Sequence, residues 1–278
     1  MPLDIAALVL LAAMMHASWN AIVKGGQDKV IDSAMISLGS AVIAIVALPF
    51  FPSPGLQIWP FVVASVFLQT IYYLLIGASY RLGDIALVYP LMRGAAPLVV
   101  TALSFTVFGE TVSPHGLIGI ACISGGIFIL ATGARANSAK AVALALLNAV
   151  MIGLYTLFDA RGVRISNNPI SYTLWVCVLP PIPLFSLAVY TRGRPVVVAY
   201  LKKNWWRAAA GGAGSLGSYG VALWAMTKAP VAMVAALRET SIVFAMLISI
   251  FIFREQSSRL RYIAGSMIAA GALAIKLS

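Results

Sequence analysis

The chain has 278 residues, of which 61% are hydrophobic and 10% charged, with a formal net charge of +11. An ordinary soluble domain carries roughly 25% charged residues, so this composition excludes one: too little polar surface is present to hold the chain in water. The excess of Lys and Arg is spread along the chain in a pattern, given below, that also excludes a nucleic-acid-binding face.

Apolar stretches of about 20 residues, the length a helix needs to cross a hydrocarbon layer of about 30 Å, recur from end to end. They fall at about 3–23, 33–51, 58–80, 85–108, 115–133, 139–160, 170–190, 205–227, 230–253 and 260–277, and predict an all-α integral membrane protein with ten spans and short connections. The first span, in MPLDIAALVLLAAMM, has no basic leader and no clear cleavage site, and is expected to be a retained helix. At its end, HASWNAIVK spaces His16, Asn20 and Lys24 four residues apart, on one helix face with Trp19 beside them. An unperturbed histidine is titratable near neutral pH, so His16 is a candidate substrate contact or proton carrier; a packed, hydrogen-bonded histidine is the alternative.

The fourth span contains IALVYPLMRGAAPL, residues 85–98, with Arg93 between Pro90 and Pro97. A cation at membrane depth costs ~2.5–3.5 kcal/mol even on the gentler insertion scales. Arg93 stands about nine residues into its helix, roughly 12 Å along the axis, too deep to snorkel easily. Each proline removes a backbone donor and frees carbonyls to face a cavity, which makes Pro90 and Pro97 hinge or gating candidates. Arg93 is either a structural arginine, paired with Glu239 or capping a helix end, or a substrate arginine that acts with Arg238 on an anionic group.

Cys122 and Cys177 lie inside spans and read as packed free thiols without a disulfide framework. The eighth span carries AAAGGAGSLGSYG, whose Gly211, Gly214, Gly217 and Gly220 form a small-residue stripe suited to close helix packing. In the ninth span, ALRETS places Glu239 next to Arg238 but about 100° around the helix; Glu239 either pairs with Arg93 or takes up a coupling proton. Aromatic side chains with a polar tip, Trp19, Tyr72, Tyr73, Tyr89, Tyr155, Tyr219 and Trp224, recur on the spans and could receive a flat or apolar substrate group. Tyr89 leads them, one turn before Arg93. Glu110 and Glu255 end their spans and are expected to be structural anchors.

Of the 19 Lys and Arg, thirteen fall in the odd-numbered connections between spans, four on the opposite side, and two inside spans. This positive-inside asymmetry puts the odd connections in the cytoplasm of a bacterial-type inner membrane and both termini on the other side. The connection TRGRPVVVAYLKKNWWR carries much of the signal, with Trp205 and Trp206 at the headgroup belt.

The chain also repeats itself. LMRGAAPLVVTALSFTVFGETVS (91–113) lies over ALRETSIVFAMLISIFIFREQSS (236–258) at an offset of 145, matching Arg93 with Arg238, Ser104 with Ser249, Glu110 with Glu255 and Ser113 with Ser258. ALVLLAAMMHASW (7–19) lies over ALALLNAVMIGLY (143–155). Two five-helix units follow, 1–135 and 139–278, joined near 136–139; since five is odd, the second enters the membrane from the opposite side.

Ten spans as an inverted five-plus-five repeat, each half closing with a Glu and then a Gly-rich helix (GETVSPHGLIGIACISGG, REQSSRLRYIAGSMIAAG), resemble the EamA-type branch of the drug/metabolite transporter superfamily over nearly the whole chain. The resemblance implies a basket in which the first, third, fourth, sixth, eighth and ninth helices surround a central cavity, with the fifth and tenth at the periphery. It also implies alternating access, usually in the export of amino acids or other small metabolites. In small multidrug-resistance relatives a first-helix carboxylate stands eight residues before a lysine; here His16 holds that spacing to Lys24, which argues against a cationic substrate. Many relatives keep both termini in the cytoplasm, whereas the charge count here places them outside.

There is no phosphate-cradling Gly-rich Lys-Ser/Thr loop and no metal-ligand spacing, so no cofactor is expected. The expected activity is secondary transport of a small carboxylate-bearing metabolite, most plainly amino acids including aromatic ones. Its contacts would be Arg93, Arg238, Tyr89, Trp19, Asn20, His16, Tyr155, Tyr73 and Trp224, with Glu239 or His16 as proton carrier. A phosphonate- or phosphate-type organic anion is the alternative substrate, and a membrane-embedded enzyme the alternative class. The expected partners are the small-molecule substrate and the lipid bilayer, with one chain as the functional unit.

Overall fold

The computed structural model describes residues 1–132, 138–166, 168–254 and 258–278. Arg135, Glu255 and positions 136 and 137 of the expected junction lie outside the described residues. The described residues are helical, with no strand: α1 (Leu3–Lys24), α2 (Lys29–Ala47), α3 (Trp59–Leu82), α4 (Ile85–Phe108), α5 (Pro114–Ala131) and α6 (Ala139–Ile165) come first. They are followed by α7 (Pro169–Val178), α8 (Pro181–Arg192), α9 (Arg194–Lys203), α10 (Trp205–Met226), α11 (Val231–Arg238), α12 (Ser241–Phe251) and α13 (Arg259–Leu277).

Short polar side chains start these helices by accepting from otherwise unpaired N–H groups. Asp28 caps α2 through Val30 and Ile31, Ser113 caps α5 through Gly116, and Ser138 caps α6 through Ala141. The Asp28 cap starts α2 at Lys29, ahead of position 33 where the apolar run begins. α4 runs unbroken through Pro90 and Pro97. The breaks come elsewhere. The seventh span is divided into α7 and α8 at Leu179 and Pro180, where two consecutive prolines supply no N–H. The ninth is divided into α11 and α12 at Glu239 and Thr240, where the Thr240 hydroxyl donates to the Leu237 carbonyl at 2.6 Å.

Two expectations change. The connection 191–207 is not merely a loop: Gly193, at φ 84, turns the chain into α9, whose Val197 is buried beside α2 and α8. The ten expected spans become nine helices long and apolar enough to cross a membrane among the described residues. The remaining long helix, α10, has 22 residues but is diluted by five glycines and three serines or tyrosines between Gly211 and Gly220.

Hydrogen bonds sort the connections into two ends. At one end the first and seventh connections meet: the Gln27 N–H donates to the Tyr200 hydroxyl at 3.1 Å, and Arg192 pairs with Asp28 at 2.5 Å. At the other end the second, fourth, sixth and eighth connections meet. Ser171 donates to the Pro52 carbonyl at 2.9 Å and Gln57 to the Ile165 carbonyl at 3.3 Å. Glu110 pairs with Arg164 at 2.6 Å while accepting from the Val231 N–H at 2.9 Å. Glu110 is thus the structural anchor expected of it. These are the odd and even ends below.

Between them, α5 packs along α13, α3 and α4 along α6, and α1 and α2 along α10. In lipid no hydrophobic force draws helices together, so close backbone approach matters. A Cβ on Gly39 would stand 1.9 Å from the Ala208 carbonyl oxygen, and one on Gly271 would stand 2.6 Å from that of Gly119. Gly39→Ala is therefore expected to lower the unfolding midpoint in detergent by several degrees, as overpacking costs about 1–3 kcal/mol. An unchanged midpoint would mean that the α2–α10 contact does not support the fold.

Candidate functional site

A cavity of about 180 Å³ lies between the helices, lined by residues from the middle and odd-end halves of their segments. α1 contributes His16, Trp19 and Asn20; α3 contributes Gln69, Tyr72 and Tyr73; α4 contributes Tyr89 and Arg93. α6 supplies Tyr155, α10 supplies Ser215, Ser218 and Tyr219, and the broken ninth span supplies Arg238. The second and seventh spans line it as well, through Ser33, Ser37 and Ser40 and through Cys177 and Pro180. That corrects the expected six-helix wall: α2 reaches the cavity because its glycine contact with α10 draws it in, and α7 because the span breaks there. No residue of α5 or α13 is among the lining.

The two arginines differ. Arg93 is buried, and its Nε approaches Glu239 Oε2 to 2.8 Å as an ion pair without hydrogen-bond alignment. The fourth and ninth spans are thereby joined at the helix break, and the pairing alternative for Glu239 is the one the fold adopts. The expectation that both guanidinium groups stand ready for an acid group is revised, because Glu239 already meets the charge of Arg93. Arg238 is the last residue of α11, half-buried, with Cζ 5.3 Å from the centre of the Tyr219 ring. Among the described residues no carboxylate lies within ion-pair distance of it. The carbonyl end of the half-helix favours a cation there, and the Tyr219 ring face holds it.

The aromatic wall is contiguous. Tyr72 meets Tyr73 edge-on at 5.0 Å and Tyr155 at 6.0 Å, and Trp19 meets His16 at 5.0 Å. Asn20, on the lining, donates its amide to the His16 carbonyl at 2.8 Å. The Trp19 Nε1 is buried without an acceptor, an unspent donor at the wall that a ligand oxygen would satisfy. One expected contact lies elsewhere. Trp224 packs against the main core cluster and is not among the lining. Lys24, at the end of α1, reaches Ser249 at 3.3 Å and the Phe253 ring at 5.0 Å.

Sequence reasoning missed the serines, Gln69 and Asp159. Hydroxyls and single amides are common in membrane helices and carry no periodic signal. Asp159 did carry one, as the only carboxylate of the sixth predicted span. It is fully buried and accepts from Ser65 at 2.8 Å, from Tyr172 at 2.9 Å and from Tyr219.

With this geometry in view, residues 139–277 match the model of a family described as the EamA-like transporter family. A solved structure described only as "Crystal structure of protein" aligns with a TM-score of 0.74 over 98% of this chain and 95% of its own, at 19% identity, a likeness of fold alone. No curated protein matches the chain by sequence.

Proposed function

The chain belongs to the EamA-like transporter family, and from that premise we propose that it carries small carboxylate-bearing metabolites, amino acids including aromatic ones, across a bacterial-type inner membrane by alternating access, in the direction of export. The observation that carries this reading is Arg238, a guanidinium on a broken-helix end, with no carboxylate within ion-pair distance among the described residues, lining a cavity walled by tyrosines and a tryptophan. Its planar fork suits a carboxylate bidentately, and the rings suit an apolar or flat remainder.

Charge supports the first of the two anion classes. Arg93 is offset by Glu239, and among the described residues Arg238 alone of the two lining arginines has no carboxylate within ion-pair distance, which favours a single carboxylate over a phosphate dianion. A zwitterion fits as well, with the hydroxyls of Tyr72, Tyr73, Tyr89 and Tyr155 on the lining to receive its ammonium group. The family is one of transporters, which favours transport over a membrane-embedded enzyme.

Alternating access rests on an inverted repeat of 1–135 and 139–278, with α10 counted as a tenth span. Helix pairing supports it: α1 packs on α10 as α6 packs on α3, and α5 and α13, the fifth helices of their halves, pack on each other. With odd connections in the cytoplasm and termini outside, the cavity leans toward the cytoplasmic side. A single chain holds the whole wall and would be the functional unit.

Thermal unfolding of the detergent-purified protein across a ligand panel tests the substrate class. Phenylalanine, tyrosine and leucine are expected to raise the midpoint, and their carboxamides to leave it unmoved. Stabilisation by phosphate or phosphonates without stabilisation by amino acids would overturn the reading.

A further inference from the structure

Asp159 has no place in substrate binding as described above, yet it is the most heavily bonded buried side chain among the described residues. Ser65 of α3, Tyr172 of α7 and Tyr219 of α10 all donate to it from three separate helices. Asp159 itself lies two turns from the end of α6, so its network joins four helices. Ser65 and Tyr172 lie near the starts of α3 and α7, and Tyr219 two turns before the end of α10. All four therefore sit toward the even end, on the far side of the cavity from its odd-end lining.

Two of the side chains in this network face the cavity. Tyr219 lines it, holding Arg238 against its ring while its hydroxyl donates to Asp159. Gln69 also lines it and donates to the Ser65 hydroxyl at 2.9 Å. α6 is shaped for the contact at Gly162, one turn from Asp159, where a Cβ would stand 2.4 Å from the Tyr172 hydroxyl. A carboxylate offers about four lone-pair sites, and three hydroxyls fill most of them. In a dry interior each such bond is costly to leave unmade, so α3, α7 and α10 cannot part from α6 one at a time without loss.

We propose that Asp159 is a positioning residue that keeps the even end of the transport path closed, and that Tyr219 makes this closure answer to the substrate arginine. A carboxylate bound at Arg238 competes with the Tyr219 ring for the guanidinium. The ring is thereby released, and the bond that Tyr219 gives Asp159 loosens with it. The inference rests on the transporter reading above, and its test needs no substrate.

The chain has two cysteines, of which Cys177 lines the cavity. In a Cys122→Ser background Cys177 is the sole thiol, and a membrane-impermeant maleimide applied to either face of oriented proteoliposomes reads which end of the path is open. Cys177 is expected to label from the odd end in the parent protein and only slowly from the even end. Tyr219→Phe, Ser65→Ala and Asp159→Asn are each expected to raise the even-end labelling rate on the order of tenfold, the share of one hydrogen bond to a charged group. Ser65→Thr, which keeps the hydroxyl, is expected to label like the parent. Even-end labelling unchanged in folded Tyr219→Phe and Ser65→Ala would overturn the proposal, and those two single-hydroxyl losses decide it should Asp159→Asn fail to fold. A panel in which no amino acid binds would sink the substrate reading and leave this result intact.

Discussion

Arg238→Gln is expected to abolish stabilisation by amino acids and to lower transport on the order of 100-fold at subsaturating substrate, with the fold preserved. Removing one partner of a desolvated, hydrogen-bonded charge pair costs about 2–5 kcal/mol, and 1.4 kcal/mol is about tenfold. The fold survives because Arg238 is half-buried and its described contact is the Tyr219 ring, worth about 0.5–2 kcal/mol. Arg238→Lys keeps the charge but loses the fork, and is expected to fall between the two. Ligand panels and uptake into proteoliposomes read the outcome. Full stabilisation of Arg238→Gln by phenylalanine would remove the centre of the substrate assignment.

Arg93→Gln, at the equivalent place in the other half, is expected to behave in the opposite manner. It leaves Glu239 buried without its cation, and losing one member of a buried pair costs about 3–5 kcal/mol. The purified variant should unfold many degrees below the parent, whatever its transport. Arg93→Gln/Glu239→Gln is expected to recover much of that loss, since two neutral amides strand no charge. A double-mutant cycle on the unfolding midpoint measures it. If Arg93→Gln proved as stable as the parent and lost only substrate binding, Arg93 would be a substrate arginine and the Glu239 contact incidental.

The two arginines differ in their surroundings. Both fall at the same register, 145 residues apart, and both line the cavity. Only the second copy carries a neighbouring glutamate. Glu239 follows Arg238 at the end of α11, where the helix breaks before Ser241. Its carboxylate is turned away from its own neighbour and reaches α4. Arg93 thereby joins the fourth and ninth spans, whereas Arg238 has no carboxylate within ion-pair distance among the described residues.

The membrane class, the helical composition and the family resemblance were legible in the sequence, because a 20-residue apolar run has one stable solution in lipid and because charges are rare enough there for a repeated Arg and Glu to stand out. The position of Arg93 at depth was legible for the same reason. Glu239 was legible as a candidate partner of Arg93 beside the proton-carrier alternative, but not the 2.8 Å approach itself, which depends on how the fourth and ninth spans cross. Nor was the wall of serines on α2, which depends on how closely Gly39 lets α2 approach α10. The network around Asp159 gathers Ser65, Tyr172 and Tyr219 from three helices whose separations in the chain carry no period. Sequence by itself determined which segments enter the bilayer and which charges enter with them, because burial in hydrocarbon acts on each segment alone. Only the tertiary structure decided which of those charges are satisfied, because an ion pair or a shared hydroxyl depends on distances between helices that no local pattern encodes.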